Sequence, residues 1–176
     1  TSRQVSETDT LGNKTQYGYD TGGFLRTVTD PNGNVTTNEH DARGNTVSQV
    51  TCQDQSANKC STVYYTYYPD ATTTVLSPDP RNDVMLTMRD GRSASATDNT
   101  YRTAFTYDAA GNRTSVTDPL GRVTTTTFTD GTTVAAADGG FAPAGLPTTV
   151  TTAAGSVQRV VYFRSGEVAT VTDPAG

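Results

Sequence analysis

Short runs of alternating apolar and polar residues, broken by Asp, Pro and Gly, recur along the chain. Val28, Val116 and Val171 each stand two residues before an aspartate, and Val35 and Val123 each stand five after one. Threonines fill the alternate positions. A period of two is that of a pleated strand, whose successive side chains point to opposite faces. The pattern predicts strands of about five to seven residues joined by tight reversals. It also places the valines on a common face of successive hairpins.

The reversals are repeated words. Thr29-Asp30-Pro31-Asn32-Gly33 returns as Thr117-Asp118-Pro119-Leu120-Gly121 and as Thr172-Asp173-Pro174-Ala175-Gly176, with a weaker copy at Thr8-Asp9-Thr10-Leu11-Gly12. A second word is Tyr19-Asp20-Thr21-Gly22-Gly23, repeated as Tyr107-Asp108-Ala109-Ala110-Gly111 and, with histidine in the tyrosine slot, as His40-Asp41-Ala42-Arg43-Gly44. It decays to Tyr162-Phe163-Arg164-Ser165-Gly166. Asp9 to Asp30 and Asp20 to Asp41 are both 21 residues, so the unit is two strands and two turns. Each turn residue has a physical role. Aspartate bonds back to the local backbone, proline presets φ, and glycine supplies a positive φ. Asp20, Gly23, Asp30, Gly33, Asp41, Gly44, Asp108, Gly111, Asp118, Gly121 and Asp173 are thereby the expected structural turn residues.

These words in register resemble the YD repeat of the RHS (rearrangement hotspot) family, which includes the shell subunits of insecticidal toxin complexes and the teneurins. The resemblance covers roughly residues 5–51 and 101–129, with eroded copies from about 145 to 176. It implies an all-β fold of consecutive antiparallel hairpins forming a curved sheet, a segment of an RHS-type β-shell. It also implies a secreted or surface bacterial protein that encloses or displays a toxin or effector. The expected partners are the remaining repeats of a longer chain and a toxin cargo domain. The alternative is a repeat module at the cell surface that binds a glycan or a surface protein.

Composition supports the strand reading. Of 176 residues 36 are threonine, which is β-branched, and there is no tryptophan. Charged residues are 18 %, too few for a coiled coil or a helical bundle. The net charge of −5 lacks the basic footprint of a nucleic-acid binder. No apolar run approaches the length of a membrane span.

Residues 52–100 depart from the repeat words, giving three expected segments: repeats over 1–51, an irregular β insertion over 52–100, and repeats over 101–176. Cys52 and Cys60 bracket a polar stretch and are expected to form a disulfide, which belongs to an oxidising compartment. Zinc is disfavoured because His40 is the one histidine. Residues 61–76 read as two strands joined at Pro69-Asp70. Tyr65 and Tyr67 offer either a sugar-stacking platform or cross-strand packing. Asp90-Gly91 is a hairpin signal. Asp79, Asp83 and Asp90 could supply oxygen ligands to calcium, but their spacing does not match the EF-hand loop, and aspartate serves turns without metal. Asn13, Asn34 and Asn112 head glycosylation triplets that follow a repeat turn and are by-products of the fold. With His40 in a repeat slot and the aspartates in turns, no catalytic residue, metal or cofactor is expected.

Overall fold

The structure, a computed structural model, describes residues 3–70 and 76–174. Thirteen strands and no helix occur among them, so the chain is all-β. It forms two compact units, residues 1–77 with 85–102 and residues 78–84 with 103–176.

The first unit holds β1 (Ser6–Thr8), β2 (Lys14–Tyr19), β3 (Leu25–Thr29), β4 (Val35–His40), β5 (Thr46–Asp54), β6 (Lys59–Tyr67) and β7 (Met85–Arg89). Each strand pairs antiparallel with the next in sequence. The second unit holds β8 (Arg102–Tyr107), β9 (Arg113–Thr117), β10 (Val123–Phe128), β11 (Pro147–Thr151), β12 (Val157–Tyr162) and β13 (Val168–Thr172), paired in the same way. These are hairpins in series. β5 and β6 continue the pattern through residue 52, with Cys52 directly opposite Cys60 and the two joined in a disulfide. The second strand expected near residues 71–75 lies outside the described residues. Asp90-Gly91 opens a longer loop rather than a two-residue hairpin turn. Ser93 N–H bonds Asp90 C=O, and Asp90 N–H bonds Tyr101 C=O at 3.3 Å.

The register corrects the expected valine face. Thr29 pairs with Val35 and Val28 with Thr36, so Val28 and Val35 lie on opposite faces. The same holds for Val116, opposite Thr124, and Val123, opposite Thr117. Five turn residues separate the pair that closes each hairpin, so the two valines, seven residues apart, fall on opposite sides of the pleat.

Among the described residues no large side chain is fully buried; the most covered apolar groups are Cys52, Ala136, Ala142 and Tyr162. Packed strand pairs are neighbours in sequence. In the second unit residues 129–146 fold back as a small looped insertion. Thr129 pairs its N–H and C=O with Leu146 and Gly145, and its hydroxyl bonds Pro143 C=O. Ala135 bridges Phe141, which seals Ala136 and Ala142 inside. Ala137 N–H donates to Tyr162 C=O at 2.8 Å, tying the insertion to the end of β12.

Candidate functional site

The recurring chemical feature is the aspartate corner. At Asp30 the backbone closes twice: Asp30 N–H bonds Asn34 C=O at 2.9 Å, and Gly33 N–H bonds Asp30 C=O at 3.0 Å. The carboxylate then fills the turn. One oxygen accepts the N–H groups of Asn32 and Asn34, each at 2.8 Å, and the other accepts the side-chain amide of Asn34 at 3.0 Å. Three otherwise unpaired donors are thus satisfied by one side chain. Asp9 with Asn13, Asp41 with Asn45, and Asp108 with Asn112 reproduce the arrangement bond for bond. At Asp118 the guanidinium of Arg122 replaces the amide, at 2.6 Å.

The backbone part outlives the aspartate. Thr152 and Phe163 stand in its place, yet Gly155 N–H bonds Thr152 C=O and Gly166 N–H bonds Phe163 C=O. Ala136 with Gly139 and Gly140 does the same inside the insertion. What persists is the glycine at positive φ, such as Gly121 at 77°, where a β-carbon is disfavoured. The side-chain latch is an addition to a turn the backbone already makes.

Two kinds of corner alternate. The Asp9, Asp30 and Asp118 hairpins close in simple register. The hairpins that turn after Tyr19, His40, Tyr107 and Tyr162 each carry a register shift at the step into that residue. The extra residue, Arg26, Val47, Thr114 or Ala169, lies in the strand that leaves the turn, and a bulge re-aims the side chains beside it. The Tyr19 hydroxyl reaches Gln4 C=O at 2.8 Å, and that of Tyr162 reaches Pro147 C=O at 2.8 Å. Tyr67, also at a register shift, donates to Thr46 C=O at 3.0 Å. Tyr19, Tyr67 and Tyr162 therefore each pin their strand to a segment 15 to 21 residues earlier.

In the first unit the corners are coupled. His40 Nδ1 lies 3.2 Å from Asp20 Oδ2, its side chain 8 % exposed, with the Phe24 ring 5.4 Å away. Arg43, 7 % exposed, lies 3.1 Å from Asp41 Oδ2 and also donates to Pro69 C=O. Each latch lowers its carboxyl below the usual range. At Asp9 and Asp30 the asparagine side chain is the largest cause, aided by the backbone donors. At Asp41, Asp108 and Asp118 burial pushes the carboxyl up, but the hydrogen bonds outweigh it. Such carboxylates are held as acceptors.

The sequence reading singled out the aspartates and glycines of these corners, but took Asn13, Asn34 and Asn112, four positions after an aspartate, for by-products of the turn rather than parts of it. Asn13, Asn34, Asn45 and Asn112 complete the latch, and their shared spacing was the available signal. Asp173 directly follows β13, and its expected partner Gly176 lies outside the described residues. Tyr65 pairs opposite Met88, half-buried, and the hydroxyl of Tyr67 is engaged with Thr46. Asp79 is gripped by Arg81 at 2.7 Å and Asp90 by Arg92 at 2.6 Å. Among the described residues no three of His, Cys, Asp and Glu converge as a metal site. Among the described residues no helix is long and apolar enough to cross a membrane.

Hairpins in series, latched at periodic aspartate corners, define a structural β-repeat array. The family model for the RHS Repeat matches residues 2–35 and 88–123. Across these two stretches the chain carries the RHS repeat. The second match begins within residues 88–100, which carry no repeat word; the first stops at residue 35, although the Asp41 corner continues the same geometry. No curated protein matches the chain.

Proposed function

We propose that this chain is a structural, non-catalytic segment of a secreted or surface-exposed RHS/YD-repeat protein, forming part of a wall that encapsulates or displays a toxin or effector. The observation that carries the reading is the corner itself. Its carboxylates are consumed in holding turns, and the same turn recurs along the chain. The Cys52–Cys60 disulfide fits an oxidising, extracellular setting. Strands that lean only on their neighbours extend by repetition, as a wall requires.

Limited proteolysis of the full gene product tests this. An effector segment in the same polypeptide should survive protease while the wall is intact, and become digestible once Gly44→Val and Gly111→Val disrupt the corners. Equal digestion in both would overturn the proposal. The alternative, a glycan- or receptor-binding module, draws support from the aromatic content of the sheet, including Tyr65 and Tyr67. Capture of a glycan by the isolated chain, lost on Tyr65→Ala, would favour it.

A further inference from the structure

One corner of the first unit departs from the repeat word on both sides of its aspartate. Threonine precedes Asp9, Asp30 and Asp118, and glycine stands three residues after each; around Asp90 these places hold Arg89 and Ser93. Half of the usual closure survives, with Ser93 N–H on Asp90 C=O at 2.9 Å and Arg92 N–H on Asp90 Oδ1 at 3.0 Å. The other half is spread apart: Asp90 N–H bonds Tyr101 C=O, eleven residues on rather than four. Both replacements are buried, Arg89 and Ser93 each being 8 % exposed. Arg89 spends Nη1 on Thr87 Oγ1 and Nη2 on Asn99 Oδ1, both at 2.9 Å and both neutral. Its Nε and the Ser93 hydroxyl have no hydrogen-bond partner among the described residues. Asp98, which feels the charge of Arg89, gives its two oxygens to the N–H groups of Ala94 and Thr100. The bond to Ala94 ties the neighbour of Asn99 to the neighbour of Ser93 across the loop.

We propose that the Asp90 loop is a binding site for a small monovalent inorganic anion, chloride in saline surroundings, held by Arg89 Nε–H and the Ser93 hydroxyl. A guanidinium is always charged, and burying it without a counter-charge is costly. Exposed arginines such as Arg3, Arg102, Arg113 and Arg159 need no acid, because water solvates them. Arg43 is as buried as Arg89 but lies beside Asp41. Among the described arginines, Arg89 combines burial with neutral partners only. Ser93 adds a hydroxyl whose proton rotates to suit an acceptor. Water would satisfy both groups but leave the charge uncompensated. Sulfate or phosphate would bring four oxygens and a second charge to a place that offers two free groups. A carboxylate on a chain would have to bring that chain to two donors that are nine-tenths covered. The inference goes beyond the structural role proposed above and stands or falls separately from it.

Urea unfolding of the 176-residue chain tests it, with sodium chloride replacing sodium gluconate at constant ionic strength. A site half-filled at about 10 mM should raise the folding constant about tenfold at about 100 mM chloride. Ser93→Ala removes one donor together with its unpaired hydroxyl. It should be at least as stable as the parent in gluconate and should lose most of the gain in chloride. Arg89→Gln should lose the gain entirely, with circular dichroism confirming that each variant folds; Ser93→Ala decides the matter should Arg89→Gln not fold. Chlorine nuclear magnetic resonance lines should broaden with the parent chain, sharpen again on adding bromide, and broaden far less with Ser93→Ala. No chloride dependence would mean that water serves both groups. An equal gain in the parent and in Ser93→Ala, or equal line broadening by both, would mean an adventitious ion only. Each of these results would overturn the proposal.

Discussion

Gly111 and Gly121 sit at the fourth position of successive corners, and alanine at each separates two costs that glycine conceals. Both backbones are left-handed, with φ of 85° and 77°. An L-residue there costs about 1–2 kcal/mol, and alanine recovers about 0.4–1 kcal/mol by restricting the unfolded chain. At Gly121 a β-carbon meets nothing within 4 Å, so the net loss should be about 1 kcal/mol. At Gly111 it would lie 2.8 Å from the carbonyl oxygen of Pro80 and 3.2 Å from its carbon. That neighbour is backbone and cannot rotate away, so overpacking adds about 1–3 kcal/mol. Gly111→Ala should therefore exceed Gly121→Ala by about 2 kcal/mol. For a unit of this size that is a further fall in Tm of about 10 °C. Urea and thermal unfolding followed by far-ultraviolet circular dichroism measure both. If the two variants are destabilised within about 0.5 kcal/mol of one another, Pro80 does not buttress the Asp108 corner and the packing argument fails.

Three other perturbations probe the same framework. Cys52→Ser with Cys60→Ser opens a cross-link of sequence separation 8 and should cost about 2.5 kcal/mol by the loop-closure relation; a reductant should lower the midpoint of the parent chain equally and leave the variant unchanged. Tyr162→Phe removes the hydroxyl donated to Pro147 C=O from a residue 6 % exposed, and should cost about 1–2 kcal/mol in urea unfolding. Asp9 and Asp30 have carboxyls held below their ordinary value by the Asn13 and Asn34 latches. A folded pKa below the unfolded one gives stability that is complete above about pH 4 and is lost as pH falls through the folded pKa. The midpoint should therefore drop on acidification below about pH 4, less steeply in Asp30→Asn, and a flat profile would contradict the latch.

The sequence carried the hairpin framework because the corners obey local rules. Aspartate and glycine at fixed spacing specify a turn whatever surrounds them, so Asp30-Gly33 and Asp118-Gly121 were readable without tertiary information. The cysteine pair was readable for the same reason, since it closes a single hairpin. Face assignment failed at Val28 and Val35 because it depends on whether the residues spanning a turn add to an odd or even number, which composition does not reveal. The bulges opposite Tyr19, His40, Tyr107 and Tyr162 were hidden because the extra residue of each, Arg26, Val47, Thr114 or Ala169, is of an ordinary strand type that carries no bulge signal. Residues 129–146 gave no period at all. Their small alanines pack inside a loop tied to Tyr162 C=O, a contact more than twenty residues away in sequence.

The scarcity of buried bulk is itself informative. A domain of this length normally closes around large apolar side chains, yet no such side chain is fully buried among the described residues. Cohesion must come instead from strand ladders, from donors satisfied at each corner, and from ties such as Tyr19 to Gln4, His40 to Asp20 and Arg43 to Pro69. These ties reach the adjoining hairpins and go no further. Stability in such an array is a sum of nearest-neighbour terms, so it does not require a closed core and sets no fixed number of hairpins. A core-built domain must stop when its interior is full. A corner-built sheet can be lengthened by copying one more hairpin, and each copy brings its own latch and its own glycine. That independence lets eroded corners, such as those at Thr152 and Phe163, survive beside intact ones: the aspartate is lost, but the backbone closure and the neighbouring hairpin still hold the turn.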